Sequence, residues 1–182
     1  MRNPNQLSRR KPLTIIGLGN EFLSDDGAGI RVVHELKKRL AGGSIVFEEL
    51  AVGGLQLLDY LLGTEECIII DAVTSGSHPA GTLYRFAQVP GAKPIALSSS
   101  HQIDLGQVLG LARILGGNLP KRLSVYGIEV NDIVTFHDGC TEQVAAAIPT
   151  LVNIICHDVQ EDTPNLQACS EEWEIIQELV TT

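Results

Sequence analysis

Apolar runs of strand length alternate along this chain with stretches in which apolar residues return every three or four positions. The runs fall at 14–18, 45–50, 67–73, 83–86 and 123–130. Runs of this length predict strands. After the first run, Ile30, Val33, Leu36 and Leu40 recur at helical spacing, leaving Arg31, Lys37, Lys38 and Arg39 for solvent. Ala41, Gly42 and Gly43 end that pattern. A second helix is expected around Leu55, Leu58, Tyr60, Leu61 and Leu62, and a third from Leu105, Val108, Leu109, Ala112 and Leu115. A fourth covers 144–155, where Pro149 is expected to kink or divide it because proline lacks an N–H and has a fixed φ. The alternation predicts an α/β three-layer sandwich, a mainly parallel twisted sheet covered by helices on both faces. Ile68, Ile69 and Ile70 are apolar on both faces, which suits a central strand.

Three regions follow. Residues 1–12 form a polar N-terminal extension, 13–157 the α/β domain, and 158–182 an acidic linker with a C-terminal helix. In that last region Ser170 suits an N-cap, Glu171 and Glu172 suit the positive helix start, and Trp173, Ile176 and Val180 line one stripe. The 182 residues are enough to bury one core without disulfides or structural metals. Cys67, Cys140, Cys156 and Cys169 contain no Cys-x-x-Cys pair, so zinc-ribbon and thioredoxin-like readings have no support. Cys67 and Cys156 read as buried free thiols.

A formal net charge of −9 argues against nucleic acid and against an acidic membrane surface. No apolar segment of signal-peptide length follows the basic residues Arg9, Arg10 and Lys11, and no run approaches the roughly 20 apolar residues of a spanning helix. A cytoplasmic protein is expected.

Candidate chemistry gathers at three places. Asp26 lies in the glycine-rich turn after the first strand, Asp71 ends the run of Ile68, Ile69 and Ile70, and His101 follows Ser98, Ser99 and Ser100 just before the third helix. Two carboxylates and an imidazole make a metal set with open coordination positions. Asp71 at the carboxyl end of a central strand stands where open α/β sheets collect ligands, near a topological switch point. Asp25 reads as an N-cap, since a negative charge offsets the positive helix start. Adjacent helical positions do not share a face, so at most one of Asp25 and Asp26 is expected in the cleft. Gly17 and Gly19 invite a dinucleotide reading, but the full spacing needs glycine where Phe22 stands, and Asp25 and Asp26 would confront the phosphates. Glu48 and Glu49, expected just after the second strand, are either a further carboxylate for the cleft or a solvated strand end. His34, His78, His137 and His157 suit surface or boundary positions.

The order Gly17 to Gly29 with Asp26, then Asp71, then His101, together with the late stretch Gly139, Cys140, Thr141, Glu142 and Gln143, resembles the hydrogenase maturation proteases over roughly residues 13 to 155. That resemblance implies an endopeptidase that trims the C-terminal extension from a nickel-iron hydrogenase large-subunit precursor after nickel insertion. It assigns Asp26, Asp71 and His101 to the metal and makes them the catalytic-site residues. Nickel would arrive in the precursor, so that cleavage depends on metal loading. The best-known family pattern has Glu where this chain has Asp26, and an acidic residue with Gly-Gly-Thr where it has Leu50, Ala51, Val52, Gly53 and Gly54. The second departure bears on which hydrogenase is served.

Direct metallopeptidase chemistry, with a metal-activated water, stays open beside metal recognition. No His-Glu-x-x-His helix or Gly-x-Ser-x-Gly elbow occurs. The competing classes are a non-catalytic metal-dependent binding or chaperone module and a nucleotide-binding Rossmann-like module.

Overall fold

A computed structural model describes residues 13–40, 44–51, 56–88, 105–160 and 174–177. Among these described residues are six strands: β1 Leu13–Leu18, β2 Ile45–Leu50, β3 Glu66–Val73, β4 Leu83–Gln88, β5 Arg122–Glu129 and β6 Glu174–Gln177. Four α-helices join them, α1 Ala28–Arg39, α2 Leu57–Leu61, α3 Leu105–Ile114 and α4 Glu142–Gln160, with a 3-10 turn at Ser24–Gly27 ahead of α1. The sheet order is β2-β1-β3-β5-β4-β6. β2, β1, β3 and β5 are parallel neighbours, and β4 runs antiparallel to both β5 and β6.

Strand alternation divides the core in two. Ile15, Ile68, Ile70, Ala72, Tyr126 and Ile128 face α1 and α4, which contribute Val32, Val33, Leu36, Ala147, Leu151 and Val152. Ile16, Leu18, Cys67, Ile69, Leu123 and Val125 face α2 and α3 through Leu57, Leu61, Val108 and Ala112. Both faces of β3 are therefore covered, the three-layer arrangement expected from its unbroken apolar run.

Helix α1 sits directly on the strands. A Cβ on Gly29 would stand 2.4 Å from the Leu18 carbonyl oxygen and 2.5 Å from that of Ile70, and one on Gly17 would stand 2.6 Å from the Gly29 oxygen. These glycines are accounted for by backbone packing of a helix onto β1 and β3, with no phosphate needed. That removes the main sequence support for the nucleotide-binding alternative.

Three expectations are corrected. Of the kink or division expected at Pro149, division does not occur: α4 runs on through the proline. The proline is exposed and so is Ala145, whose carbonyl it leaves without a helical partner, so water can solvate that group while Ile148, Leu151 and Val152 hold the helix to the sheet. α4 also spans Glu142–Gln160, longer at both ends than the 144–155 expected. Glu174–Gln177 is a strand and not part of a helix: it pairs with β4, whose other edge would otherwise be unpaired, and the β-branched Ile175 and Ile176 suit that conformation. Ser170, Trp173 and Val180 lie outside the described residues.

Candidate functional site

The strand order reverses between β1 and β3. The chain leaves β1 through α1 to reach β2 on one side, then returns through α2 to β3 on the other. With crossovers on opposite faces, the carboxyl ends of β1 and β3 form a topological switch point, the position at which such sheets bind ligands. Asp26 follows β1 at this edge and Asp71 is carried on β3.

Asp71 is 1% exposed and lies in register with Gly127 of β5. Its Oδ1 accepts the Ala72 N–H at 2.8 Å. Asp26 is 2% exposed, and its Oδ2 accepts the Asn20 N–H at 2.8 Å. One oxygen of each carboxylate is thus fixed by main chain. The 3-10 turn packs against β3, and Gly29, three residues after Asp26, abuts Ile70, the residue before Asp71. The two carboxylates consequently share one edge of the sheet. His101 lies outside the described residues, as do Ser98, Ser99 and Ser100. Among the described residues no group of three or more His, Cys, Asp and Glu side chains forms a metal set.

Local backbone geometry presents Asp26. Gly19 has φ +140°, and a Cβ there would stand 2.0 Å from the Asp26 carbonyl oxygen. Ser24, with φ +47°, is the one described non-glycine residue in the left-handed region, and it turns the chain into the helix that carries both aspartates.

Asp25 has a different task from the N-cap expected of it. Neither the 3-10 turn nor α1 has a side-chain cap bond. The buried Asp25 carboxylate instead accepts the Thr141 N–H at 2.6 Å, the Thr141 hydroxyl at 3.1 Å, the Asp132 N–H at 3.2 Å and the Asn131 N–H at 3.4 Å. Its own N–H donates to the Asp132 carbonyl at 2.9 Å. The loop after β5 is thereby fastened to the turn holding Asp26. The sequence signal was Thr141 within the stretch carrying the family resemblance, but nothing local connects it to Asp25. Asp25→Ala leaves several part-buried donors without their carboxylate and is expected to cost about 3 kcal/mol, against about 1 kcal/mol for Thr141→Val, which keeps the N–H. Urea unfolding of both variants checks the order, and equal losses would refute the bracket.

Glu129 was missed entirely. It is buried at the end of β5, in register with Val73, and accepts Ser75 Oγ at 2.8 Å, the Gly76 N–H at 2.8 Å and the Tyr84 hydroxyl at 2.7 Å. It braces the connection between β3 and β4. The only signal was a Glu between Ile128 and Val130, which reads equally well as a strand end.

Glu48 and Glu49 lie within β2 and not after it, because pairing with β1 continues to Leu50. Glu49 is engaged by Lys37 and, at 3.1 Å, by His34 Nε2. The Lys37 ammonium, and after it His34, holds the Glu49 carboxyl below its ordinary range. A depressed carboxyl contributes stability above its unfolded value that is lost as pH falls through the folded one. Glu49 is therefore an α1–β2 tie. His78 approaches the Tyr84 hydroxyl at 3.1 Å, and His137 and His157 are exposed.

Cysteine chemistry has little support. Cys67 is buried and its thiol is pushed far up by desolvation. Cys156 is half-buried, with its thiol also raised by desolvation. Cys140 stands beside the Asp26 turn, donating weakly to the Ser24 carbonyl at 3.8 Å, and burial pushes its pKa up to about 11 despite the nearby Arg31. A protonated thiol is a poor nucleophile at neutral pH.

An α/β domain with two buried carboxylates at its switch point belongs to the class that assembles its chemistry at the carboxyl edge of a parallel sheet. Its relatives narrow the class. A family model described as hydrogenase maturation protease matches residues 30–158. The hydrogenase 2 maturation protease of Escherichia coli is 29% identical over 147 residues, spanning 79% of this chain and 88% of that protein. The hydrogenase expression/formation protein HupD of Bradyrhizobium diazoefficiens is 29% identical over 159 residues, spanning 85% and 81%. The solved hydrogenase maturating endopeptidase HybD of Escherichia coli superimposes with a TM-score of 0.69 at 27% identity, covering 82% of this chain and 93% of that one. The chain belongs to the hydrogenase maturation protease family and, as a member, is a peptide-bond hydrolase. Among the described residues no helix is long and apolar enough to cross a membrane.

Proposed function

We propose that this protein removes the C-terminal extension of a nickel-iron hydrogenase large-subunit precursor after nickel insertion, in the cytosol, and that Asp26, Asp71 and His101 recognise the metal. Nickel belongs to the substrate in this reading. The observation that carries it is the pair of buried carboxylates at the β1/β3 switch point, each with one oxygen fixed by a main-chain N–H.

The donor chemistry fits. Carboxylate and imidazole both ligate first-row divalent ions, and hydrogen bonds behind the ligands hold them in place. Three protein donors leave coordination positions open. Free metal then binds weakly, whereas metal already held by precursor thiolates gains the remaining ligands on docking. Cleavage becomes conditional on loading because metal is part of what is recognised. Asp26, one methylene shorter than the Glu of the best-known family pattern, keeps the oxygen-donor chemistry and draws the ion nearer to the turn backbone.

The test is the intact mass of a cognate precursor after incubation with this protein, with and without nickel loading. Loss of a C-terminal peptide only in the loaded sample is the expected result. Equal cleavage of both samples would remove metal gating, and no cleavage of a confirmed cognate precursor would remove the reading altogether. Cys140→Ser is expected to cleave the loaded precursor within about twofold of the parent, since a protonated thiol supplies no nucleophile. Abolished cleavage in that variant would point to cysteine chemistry.

A further inference from the structure

Phe22, Val134 and Phe136 are 54%, 79% and 81% exposed. The two rings stack with centroids 6.1 Å apart and planes 11° from parallel. A single exposed apolar side chain needs no explanation, but stacked aromatic rings left to water are a different matter, because aromatics concentrate at binding surfaces.

Their position is set by the fold. Phe22 lies in the loop after β1 and Phe136 in the loop after β5, both beyond the carboxyl ends of the strands that frame Asp71. The backbone beneath them is tied. The His137 N–H donates to the Phe22 carbonyl at 3.0 Å, the Ser24 N–H donates to the His137 carbonyl at 3.1 Å, and Leu23 and His137 form a β-bridge. The same turn reaches the site: Asp26 Oδ2 accepts the Asn20 N–H at 2.8 Å, and Asn20 Oδ1 accepts the Phe22 N–H at 3.1 Å. One loop therefore presents a buried carboxylate on its inner side and an exposed ring on its outer side.

We infer that Phe22 and Phe136, with Val134, form the docking anchor for the hydrogenase large-subunit precursor, through an apolar segment of that partner. The inference rests on the proposed function, since a precursor that brings its metal to Asp26 and Asp71 docks at the sheet edge where the turn carrying Phe22 lies. Area favours an anchor inside a larger interface. Two partly exposed Phe rings and a Val offer on the order of 300 Å², short of the roughly 500 Å² that each side contributes to a stable interface of ~1,000 Å². A self-association surface built on these residues alone would be too small.

The test titrates nickel-loaded precursor against the parent and the Phe22→Ser/Phe136→Ser double variant, and separately measures binding of nickel-free precursor. Both side chains are exposed, so the variant should melt near the parent, which thermal unfolding verifies. Expected are a KM raised roughly 10- to 100-fold with kcat nearly unchanged, and an equal loss of affinity for nickel-free precursor, because an aromatic anchor acts on association. Unchanged KM and unchanged affinity would overturn the inference. So would a concentration-dependent dimer of the parent that is lost in the variant while KM stays the same. If the parent binds precursor but cleaves nothing, the proposed function fails, and the binding comparison still decides the anchor.

Discussion

Asp71→Asn is expected to reduce cleavage of nickel-loaded precursor by at least about 100-fold while leaving the fold intact, because a metal ligand is lost and changes even one shell further out cost 10- to 100-fold. The substitution is nearly isosteric, and an amide oxygen can still accept the Ala72 N–H at the position Oδ1 occupies. What disappears is the negative charge at a site 1% exposed to water, where it interacts most strongly with a cation. Intact mass of the precursor and thermal unfolding of the variant measure the two halves of the expectation. Parent-like cleavage by a folded variant would take Asp71 out of the mechanism. The same change is expected to leave affinity for nickel-free precursor unaltered, which separates it from the Phe22 and Phe136 variant.

Gly29→Ala is expected to cause a large loss of stability from a single added methyl group. The new Cβ would lie 2.4 Å from the Leu18 oxygen and 2.5 Å from the Ile70 oxygen, both main-chain atoms of paired strands that have no rotamer to change. Relief requires lifting the start of α1 from β1 and β3, which also disturbs Ala28, Val32 and Val33 in the core. Overpacking typically costs 1–3 kcal/mol, and with rigid backbone on two sides about 4 kcal/mol is expected. For a chain of this size that corresponds to a melting temperature lower by roughly 10 °C. A drop of only a degree or two would mean that α1 does not rest on the strands as closely as described. Because Asp26 precedes Gly29 by less than one helical turn, surviving folded protein should also cleave poorly.

These two positions illustrate how differently the chain announces its parts. Asp71 was legible because a carboxylate at the end of an unbroken apolar run is out of keeping with burial, so its strand position alone marked it. Gly29 and Gly17 were legible only as a glycine-rich turn, a pattern shared by phosphate cradles and by close helix–strand packing. Spacing alone does not separate these, since both use glycine to let backbone approach something closely. The identity of the neighbouring atoms does, and those atoms belong to β1 and β3.

Sequence periodicity by itself determined the five principal strands, the four helices and the covering of the sheet on both faces, because burial demands a period of about two or 3.6 residues wherever an element meets a core. Resemblance of ordered motifs determined the family. Tertiary structure decided what depends on partners remote in the chain. It made Asp25 a bracket to Thr141, 116 residues away, and no helix cap. It made Glu129 a brace for Ser75, Gly76 and Tyr84, and Glu49 a tie to α1. It also turned 174–177 into an edge strand, since the β4 edge rewards pairing and an isolated four-residue segment has no preference strong enough to resist it. Finally, it brought Phe22 and Phe136 into contact across 114 residues, a surface that no local pattern encodes.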